Sequence, residues 1–235
     1  MSELEPLSYA DGEARLTGWL ARPDNQARAA IVVFPTIANK TPVVERRALM
    51  LADRGYLAMI ADFYGEPVGD PAEASTLAEG LRSDVDRYRS RIAAAIGALR
   101  ALPEATDLRV GAIGYCMGGQ AALEAARDGH DLFATVSFHG ILATGREATK
   151  GAVRSRLLVC HGNDDPLVPR EQVIAFWDEM SDAAANWHFH AYSGVKHGFT
   201  DPGSDARGLP AIAYDASADR QSWSAMTNLF DEILG

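Results

Sequence analysis

A cysteine flanked by glycines is the feature of this sequence best suited to chemistry. Residues 108–129 begin as an apolar run, pass through GYCMGG at 114–119 and continue as an alanine-rich stretch. The spacing Gly-x-Cys-x-Gly is typical of a nucleophile elbow, a sharp strand-to-helix turn that exposes one reactive side chain. Such a turn strains its central residue, so the neighbouring positions need small residues. Unpaired N–H groups and the helix dipole would favour a thiolate there, which makes Cys116 a candidate nucleophile.

The same cysteine has a second interpretation. Cysteine is among the most buried residue types, and at the end of a strand it can be simply a small hydrophobe. The glycines on both sides and the change from strand to helix favour the nucleophile. These glycines do not form G-x-G-x-x-G, and no Gly-Lys-Ser/Thr follows them, so a dinucleotide fingerprint and a P-loop are both excluded.

A thiol nucleophile needs a base and a group that orients the base. His197 is the candidate base, because it lies in GVKHGF, a glycine-containing loop that follows a strand late in the chain. His139 and His161 each follow a strand and precede a glycine, so they are packing residues or competing bases. His188 and His190 share one face of a strand, but no third metal ligand is close in sequence, and we predict no metal site.

The orienting acid should lie between the nucleophile and the base, because elbow hydrolases run in the order nucleophile, acid, base. The segment HGNDDPLVP at 161–169 follows a buried strand and supplies Asp164 and Asp165. Either one could orient the histidine, while the other caps the turn or the next helix.

Strands and helices alternate along the chain and must position these residues. Alternation and apolar runs predict strands over 14–20, 30–34, 57–61, 110–114, 134–138, 157–161 and 187–192. Periodicity predicts helices over 43–54, 77–99, 118–127, 170–184 and 218–234. This order predicts an α/β fold with a mostly parallel sheet covered on both faces. Ligands bind beyond the carboxyl ends of such strands.

Two further stretches have simpler interpretations. The basic residues between 82 and 91 fall mostly off the apolar stripe of the 77–99 helix, which predicts a solvated face. The irregular stretch 201–215 is predicted to be a loop crossing the surface.

Composition limits the class of protein. With 235 residues, of which 47% are hydrophobic, the chain can bury a large core, and we expect a single domain over 1–235. No run of 18 apolar residues predicts a membrane span, and the acidic N-terminus does not resemble a secretory signal. Two cysteines provide no disulfide framework, so a cytoplasmic location is expected. A net charge of −10 disfavours nucleic acid as a partner. Monomer and homodimer both stay open.

The ordered motifs resemble a known family. GYCMGG, HGNDDPLVP and GVKHGF, with ADFYG at 61–65 and SFHG at 137–140, are similar to segments of the dienelactone hydrolase family of α/β-hydrolases. The similarity extends over nearly the whole chain. It implies hydrolysis of a small-molecule ester or lactone through an acyl-thioester, with Cys116 as nucleophile, Asp165 as acid and His197 as base. No metal or organic cofactor is implied.

The resemblance also suggests the groups around the triad. In elbow enzymes the N–H of the residue after the nucleophile, here Met117, binds the oxyanion, and the resemblance assigns the second donor to the Ile37 N–H. The side chains expected near the pocket are Thr36, Tyr64, Tyr115, His139 and Phe199.

Two departures from the family concern the substrate. Related dienelactone hydrolases carry a glutamate that takes part in activating the thiol, and the matching position here is Thr36. They hold the substrate carboxylate with arginines, whereas Asp201 lies just after His197 and would repel an anion. We therefore expect a hydrolase of this family whose substrate need not be dienelactone. The sequence leaves the position of Arg82 open.

Two functions of other classes remain as alternatives. A noncatalytic protein that keeps the hydrolase fold is one, because Thr36 replaces the activating carboxylate. A redox-active thiol protein is the other, although the chain has no C-x-x-C motif and no resolving cysteine near Cys116.

Overall fold

The computed structural model describes residues 4–235, which form an eight-stranded sheet in the order β1-β2-β4-β3-β5-β6-β7-β8. The strands are β1 (Glu5–Asp11), β2 (Ala14–Ala21), β3 (Ala29–Phe34), β4 (Tyr56–Ile60), β5 (Val110–Tyr115), β6 (Ala134–Phe138), β7 (Arg156–Gly162) and β8 (Asn186–Tyr192). The helices are α1 (Pro42–Ala52), α2 (Pro71–Arg82), α3 (Val85–Arg100), α4 (Met117–Arg127), α5 (Arg170–Asp182) and α6 (Ala216–Leu234).

The sheet is mostly parallel and covered on both faces. Strands β3 to β8 pair in parallel, while β1 and β2 form an antiparallel hairpin joined to β4. Side chains alternate along β3, so Ile31 and Val33 pack toward α1 and α6, and Ala30 and Val32 pack toward α3 and α4. Both faces of the central strands are therefore buried, which explains their continuous apolar runs. The predicted α/β fold is confirmed.

One predicted element is wrong. The single helix expected over 77–99 is two helices, because the chain breaks at Ser83 and Asp84 between α2 and α3. The Asp84 carboxylate accepts the N–H groups of Asp86 and Arg87, both at 3.1 Å, and so caps α3. Both helices pack against the same face of the sheet, so the apolar periodicity continues across the break.

The basic residues of this region also differ from the prediction. Arg89 and Arg91, expected on a solvated face, are buried. Arg89 pairs with Glu124 of α4 at 2.9 Å, and Arg91 pairs with Asp11 of β1 at 2.9 Å. Both partners are far away in sequence, and their charges allow the two guanidinium groups to be buried.

None of the helices within residues 4–235 is both long enough and apolar enough to cross a membrane.

Candidate active site

The elbow lies between β5 and α4. Cys116 connects them with φ 57° and ψ −118°, a strained conformation for a residue with a side chain. A Cβ atom on Gly114 would collide with the backbone of Gly118, and one on Gly118 would collide with the Phe34 carbonyl. The two glycines thus allow the helix to begin directly against β5 and leave Cys116 half-buried.

His139 makes a hydrogen bond to the backbone of the elbow. The Cys116 N–H donates to the Phe138 carbonyl and to His139 Nδ1, each at 3.1 Å. Burial, followed by the charge of His197, holds the pKa of His139 well below its ordinary value, so the ring is neutral. Since Nδ1 accepts, Nε2 carries the proton and donates to Thr200 Oγ1 at 2.9 Å. Both ring nitrogens are occupied, which argues against His139 as the base.

The remaining loops bring one acid and one histidine together. His197 follows β8, and Asp165 follows β7. The His197 Nδ1–H group donates to Asp165 Oδ2 at 2.8 Å, and the His197 and Asp165 side chains are 3% and 0% exposed. The other oxygen, Oδ1, accepts the Leu167 N–H at 2.9 Å. Asp164, the alternative acid, is exposed. His161, the other competing histidine, was expected after the strand but lies within β7, one residue before its end, and its ring packs against Phe189.

Charge interactions link Cys116 to His197. Burial would raise the pKa of the Cys116 thiol, but the His197 side chain, the Met117 N–H and the charge of Arg82 outweigh it, and the pKa is lowered. Burial would lower the pKa of His197, but the charge of Cys116 and the hydrogen bond to Asp165 raise it. His197 Nε2 is buried without a hydrogen bond to any described residue. Both shifts act in the direction that favours a thiolate on Cys116 and a proton on His197.

Two backbone donors are free to bind an oxyanion. The N–H groups of Met117, at the start of α4, and Ile37, in the turn after β3, donate to no backbone carbonyl within residues 4–235, and that of Met117 faces the Cys116 thiol. The Tyr64 hydroxyl donates to the Ile37 carbonyl at 3.0 Å, and the Tyr88 hydroxyl donates to the Met117 carbonyl at 2.9 Å. These two hydroxyls fix the peptide units next to both donors.

Asn39 and Asp62 hold the Ile37 loop, and sequence reasoning missed both. Asn39 has a left-handed φ of 58°. Its Nδ2 donates to Asp62 Oδ1 at 2.7 Å, and its Oδ1 accepts the Phe63 N–H at 3.1 Å. Asp62 belongs to the ADFYG segment, so the signal was present in the sequence without an assigned role.

A cavity of about 620 Å³ opens above the elbow. The predicted site residues that line it are Thr36, Ile37, Tyr115, Cys116, His139 and His197. Phe199 lies behind it, fully buried against the rings of His139 and Tyr192. The Thr36 hydroxyl accepts the Ala38 N–H at 3.3 Å.

The stretch 201–215 forms part of this cavity wall, in addition to lying at the surface. The His197 N–H donates to the Ala211 carbonyl at 3.2 Å, and the His197 carbonyl accepts the Ala213 N–H at 3.1 Å. Arg207, from this stretch, and Arg47 of α1 also line the cavity. Neither arginine was found from the sequence, because no motif or spacing marked them.

No metal centre is evident in the described part of the chain. His188 and His190 both line a groove between β8 and α6, as their alternation predicted. Across residues 4–235, no three His, Cys, Asp or Glu side chains are grouped closely enough to hold a metal ion.

The lowered pKa of Cys116 predicts a distinctive alkylation profile. As pH falls from 9 to 7, we expect its reaction with iodoacetamide to slow less than that of a peptide thiol, whose pKa is about 8.5. The thiolate persists because His197 stabilises it below that pKa. In His197→Ala only the Met117 N–H and the charge of Arg82 remain to oppose burial, so the rate at pH 7 should fall. Burial raises the pKa of Cys160 to about 12, which removes it from the reaction. Identical profiles for wild type and His197→Ala would contradict the coupling.

A mostly parallel sheet, a strained cysteine at a strand-to-helix turn and a buried histidine–aspartate pair beyond the strand ends define an α/β-hydrolase. The family model described as the dienelactone hydrolase family matches residues 16–234. The chain belongs to the dienelactone hydrolase family, which confirms the resemblance seen in the motifs. It is a hydrolase that acts on ester or lactone bonds.

Individual relatives agree with this assignment. A crystal structure of a dienelactone hydrolase-like promiscuous phosphotriesterase from metagenomic libraries is 39% identical, with a TM-score of 0.95 over 100% of this chain and 99% of that one. The carboxymethylenebutenolidase homolog of Mus musculus is 28% identical over 181 residues, which is 75% of this chain and 72% of the mouse protein. A dienelactone hydrolase structure from Klebsiella pneumoniae, at 20% identity and a TM-score of 0.79, shares the fold over 98% of this chain and 99% of that one.

Proposed function

We propose that this hydrolase cleaves small-molecule esters or lactones through a Cys116–His197–Asp165 triad and an acyl-thioester intermediate. The observation that carries the proposal is the buried 2.8 Å hydrogen bond between His197 and Asp165, in a site where His197 also lowers the pKa of Cys116. Asp165 keeps the Nδ1 proton in place, so Nε2 is the nitrogen that exchanges protons with the substrate.

The first half of the reaction transfers the acyl group to sulfur. The Cys116 thiolate attacks the carbonyl carbon, and the N–H groups of Met117 and Ile37 bind the resulting oxyanion. As the tetrahedral intermediate collapses, the bond from carbon to the leaving oxygen breaks, and His197 Nε2–H protonates that oxygen. The products of this half are an alcohol and a thioester on Cys116; a lactone substrate stays attached as one opened chain.

The second half regenerates the thiolate. Neutral His197 removes a proton from water, and the resulting hydroxide attacks the thioester carbonyl in the same oxyanion site. When the carbon–sulfur bond breaks, the acid is released and Cys116 leaves as a thiolate beside protonated His197. The balance is one water consumed for each ester or lactone opened.

Activation of the thiol in this scheme does not need a carboxylate at Thr36. The lowered pKa of Cys116 comes from His197, Met117 and Arg82, and no acidic group contributes to it. This favours a catalytic protein over one that keeps only the fold. The raised pKa of the buried Cys160 also disfavours a redox role, because that thiol is a poor resolving partner.

Neutral phosphotriesters are a second candidate substrate class. The similar structure at 39% identity is described as a promiscuous phosphotriesterase, and it matches this chain over its full length. A phosphotriester is uncharged and presents a phosphoryl oxygen that the Met117 and Ile37 N–H groups could bind. Attack by the Cys116 thiolate on phosphorus would expel the alcohol and form a sulfur–phosphorus bond.

Trapping the intermediate tests both candidates. We expect a hindered substrate such as 4-nitrophenyl trimethylacetate to release one nitrophenolate per protein in a burst, because deacylation of a bulky group is slow. Acid quenching and peptide mass analysis should then locate the acyl group on Cys116, and hydroxylamine should remove it. A neutral aryl phosphotriester should place a phosphoryl group on the same peptide. Turnover of the ester with the acyl group on another residue would contradict the triad.

A further inference from the structure

The cavity above Cys116 has mainly apolar walls. Outside the triad and the oxyanion loop, it is lined by Val43, Val44, Val68, Leu167, Leu209 and Ile212. Leu167 and Leu209 are 46% and 51% exposed, an unusual exposure for large apolar side chains. Apolar walls favour apolar substrate groups and penalise the entry of an unpaired charge.

Three of the four other charged side chains that line this cavity, the triad and His139 aside, are neutralised by ion pairs. Arg47 is buried against Asp219 of α6 and makes an ion pair with it. Asp70 accepts two backbone N–H groups at the start of α2, at 2.8 and 2.9 Å. Asp201 pairs with Arg207. Among the described residues, the exposed Asp70 is thus the one lining carboxylate without a cationic partner, and the other charges are paired.

The Asp201–Arg207 pair is the more accessible of the two ion pairs. Asp201 lies four residues after His197, and one carboxylate oxygen accepts the Gly203 N–H at 2.8 Å while the other bonds to the Arg207 guanidinium. The Asp201 side chain is 16% exposed and that of Arg207 is 48% exposed. Arg207 therefore covers a fixed carboxylate at the cavity wall. The pairing with Arg207 changes the expectation from the sequence, in which the charge of Asp201 would repel an anionic ligand.

We propose that the Asp201–Arg207 pair makes the site selective for uncharged, apolar esters and lactones, and that Arg207 hides the Asp201 carboxylate from the substrate. The inference rests on the proposed function, since it concerns selectivity within that site. Removing Arg207 leaves an uncompensated negative charge at the wall, which attracts a cationic substrate and repels an anionic one. Removing the charge of Asp201 leaves Arg207 and reverses both effects.

Isosteric substrate pairs isolate the effect of charge. Acetylthiocholine and 3,3-dimethylbutyl thioacetate have the same shape and differ in one positive charge. The 4-nitrophenyl esters of glutaric acid and of its monoamide, whose CONH₂ group has the shape of a carboxylate, differ in one negative charge. For each pair, the ratio of kcat/KM for the charged substrate to that for the neutral one cancels any general loss of activity. Wild type should favour the neutral member of both pairs.

The two single variants, the double variant and wild type form a double-mutant cycle. In Arg207→Gln we expect kcat/KM for the cationic substrate, relative to its neutral counterpart, to rise about fivefold to tenfold. For the anionic substrate the same ratio should fall by a similar factor, as for charges several ångströms apart in a partly solvated site. Asp201→Asn should shift both ratios in the opposite directions. The double variant, which carries neither charge, should return both to within about twofold of wild type, and 1 M NaCl should weaken the single-variant shifts.

The outcomes separate this inference from the proposed function. Ratios that stay within about twofold of wild type in both single variants, or that move in the same direction in both, would overturn the role of the pair. Equal preference of wild type for charged and neutral isosteres would overturn the substrate class. Neutral-ester turnover that survives Cys116→Ala would instead overturn the proposed function, whatever the ratios.

Discussion

Cys116→Ala is expected to lower kcat/KM for an activated aryl ester by at least about 10⁴-fold, the order of loss seen when the nucleophile of a triad is removed. Alanine has no group that can form the acyl intermediate, while the Met117 and Ile37 donors and the His197–Asp165 pair remain. The residual rate would come from these donors and from binding alone. Steady-state kinetics, with circular dichroism and thermal unfolding to show that the variant is folded, measure the effect.

The other cysteine provides a matched control. Cys160 lies within β7 and is fully buried, and the proposed reaction does not use it. We expect Cys160→Ala to lose some stability, because a buried side chain is shortened, and to keep most of its activity. Equal activity of wild type and Cys116→Ala would refute the nucleophile and favour a noncatalytic or redox-active thiol protein. Loss of activity in Cys160→Ala alone would refute it as well.

The elements that could be predicted from the sequence are those with a local signal. The buried strands read as apolar runs because both faces of the sheet are covered, and the elbow carries its own glycines, which the close approach of Gly118 to Phe34 requires. The break before α3 was missed, since one aspartate cap at Asp84 produces it while the apolar period continues. The burial of Arg89 depends on Glu124 of α4, a partner that periodicity cannot reveal.

The candidate active site also combines features that have a local sequence signal with features that depend on contacts between distant residues. Its motifs lie at strand ends and could be found individually, but the roles of neighbouring residues depend on contacts between loops. The wall formed by 201–215 is held to His197 by backbone hydrogen bonds, which leave no pattern in side-chain types. The position of Arg207 at the cavity wall can therefore be recognised only from the fold. The cytoplasmic location, the monomer-or-homodimer state and the exclusion of nucleic acid remain predictions from the sequence.

The identity of the aspartate that orients His197 depends most directly on the fold. The sequence alone leaves Asp164 and Asp165 both as candidates, whereas their burial in the structure differs. Asp165 is buried against His197, and Asp164 is exposed. We expect Asp165→Asn to lower kcat by about 10⁴-fold, the loss that follows when the acid of a triad becomes an amide. Asp164→Asn, a change of the same chemistry one residue away, should retain nearly all activity.

The contacts of Asp165 explain why an isosteric amide should be so damaging. The Leu167 N–H donates to Oδ1 at 2.9 Å, so an asparagine would keep its carbonyl oxygen there and turn its NH₂ group toward His197. Nδ1 of His197 would then accept a hydrogen bond, and the proton of the neutral ring would lie on Nε2. In that tautomer His197 cannot take a proton from Cys116 or from water, and the charge and hydrogen bond of Asp165 no longer help to raise its pKa. Steady-state kinetics of the two variants, together with the iodoacetamide rate at pH 7, would show both losses in Asp165→Asn only. A larger loss in Asp164→Asn would assign the acid to the exposed residue instead.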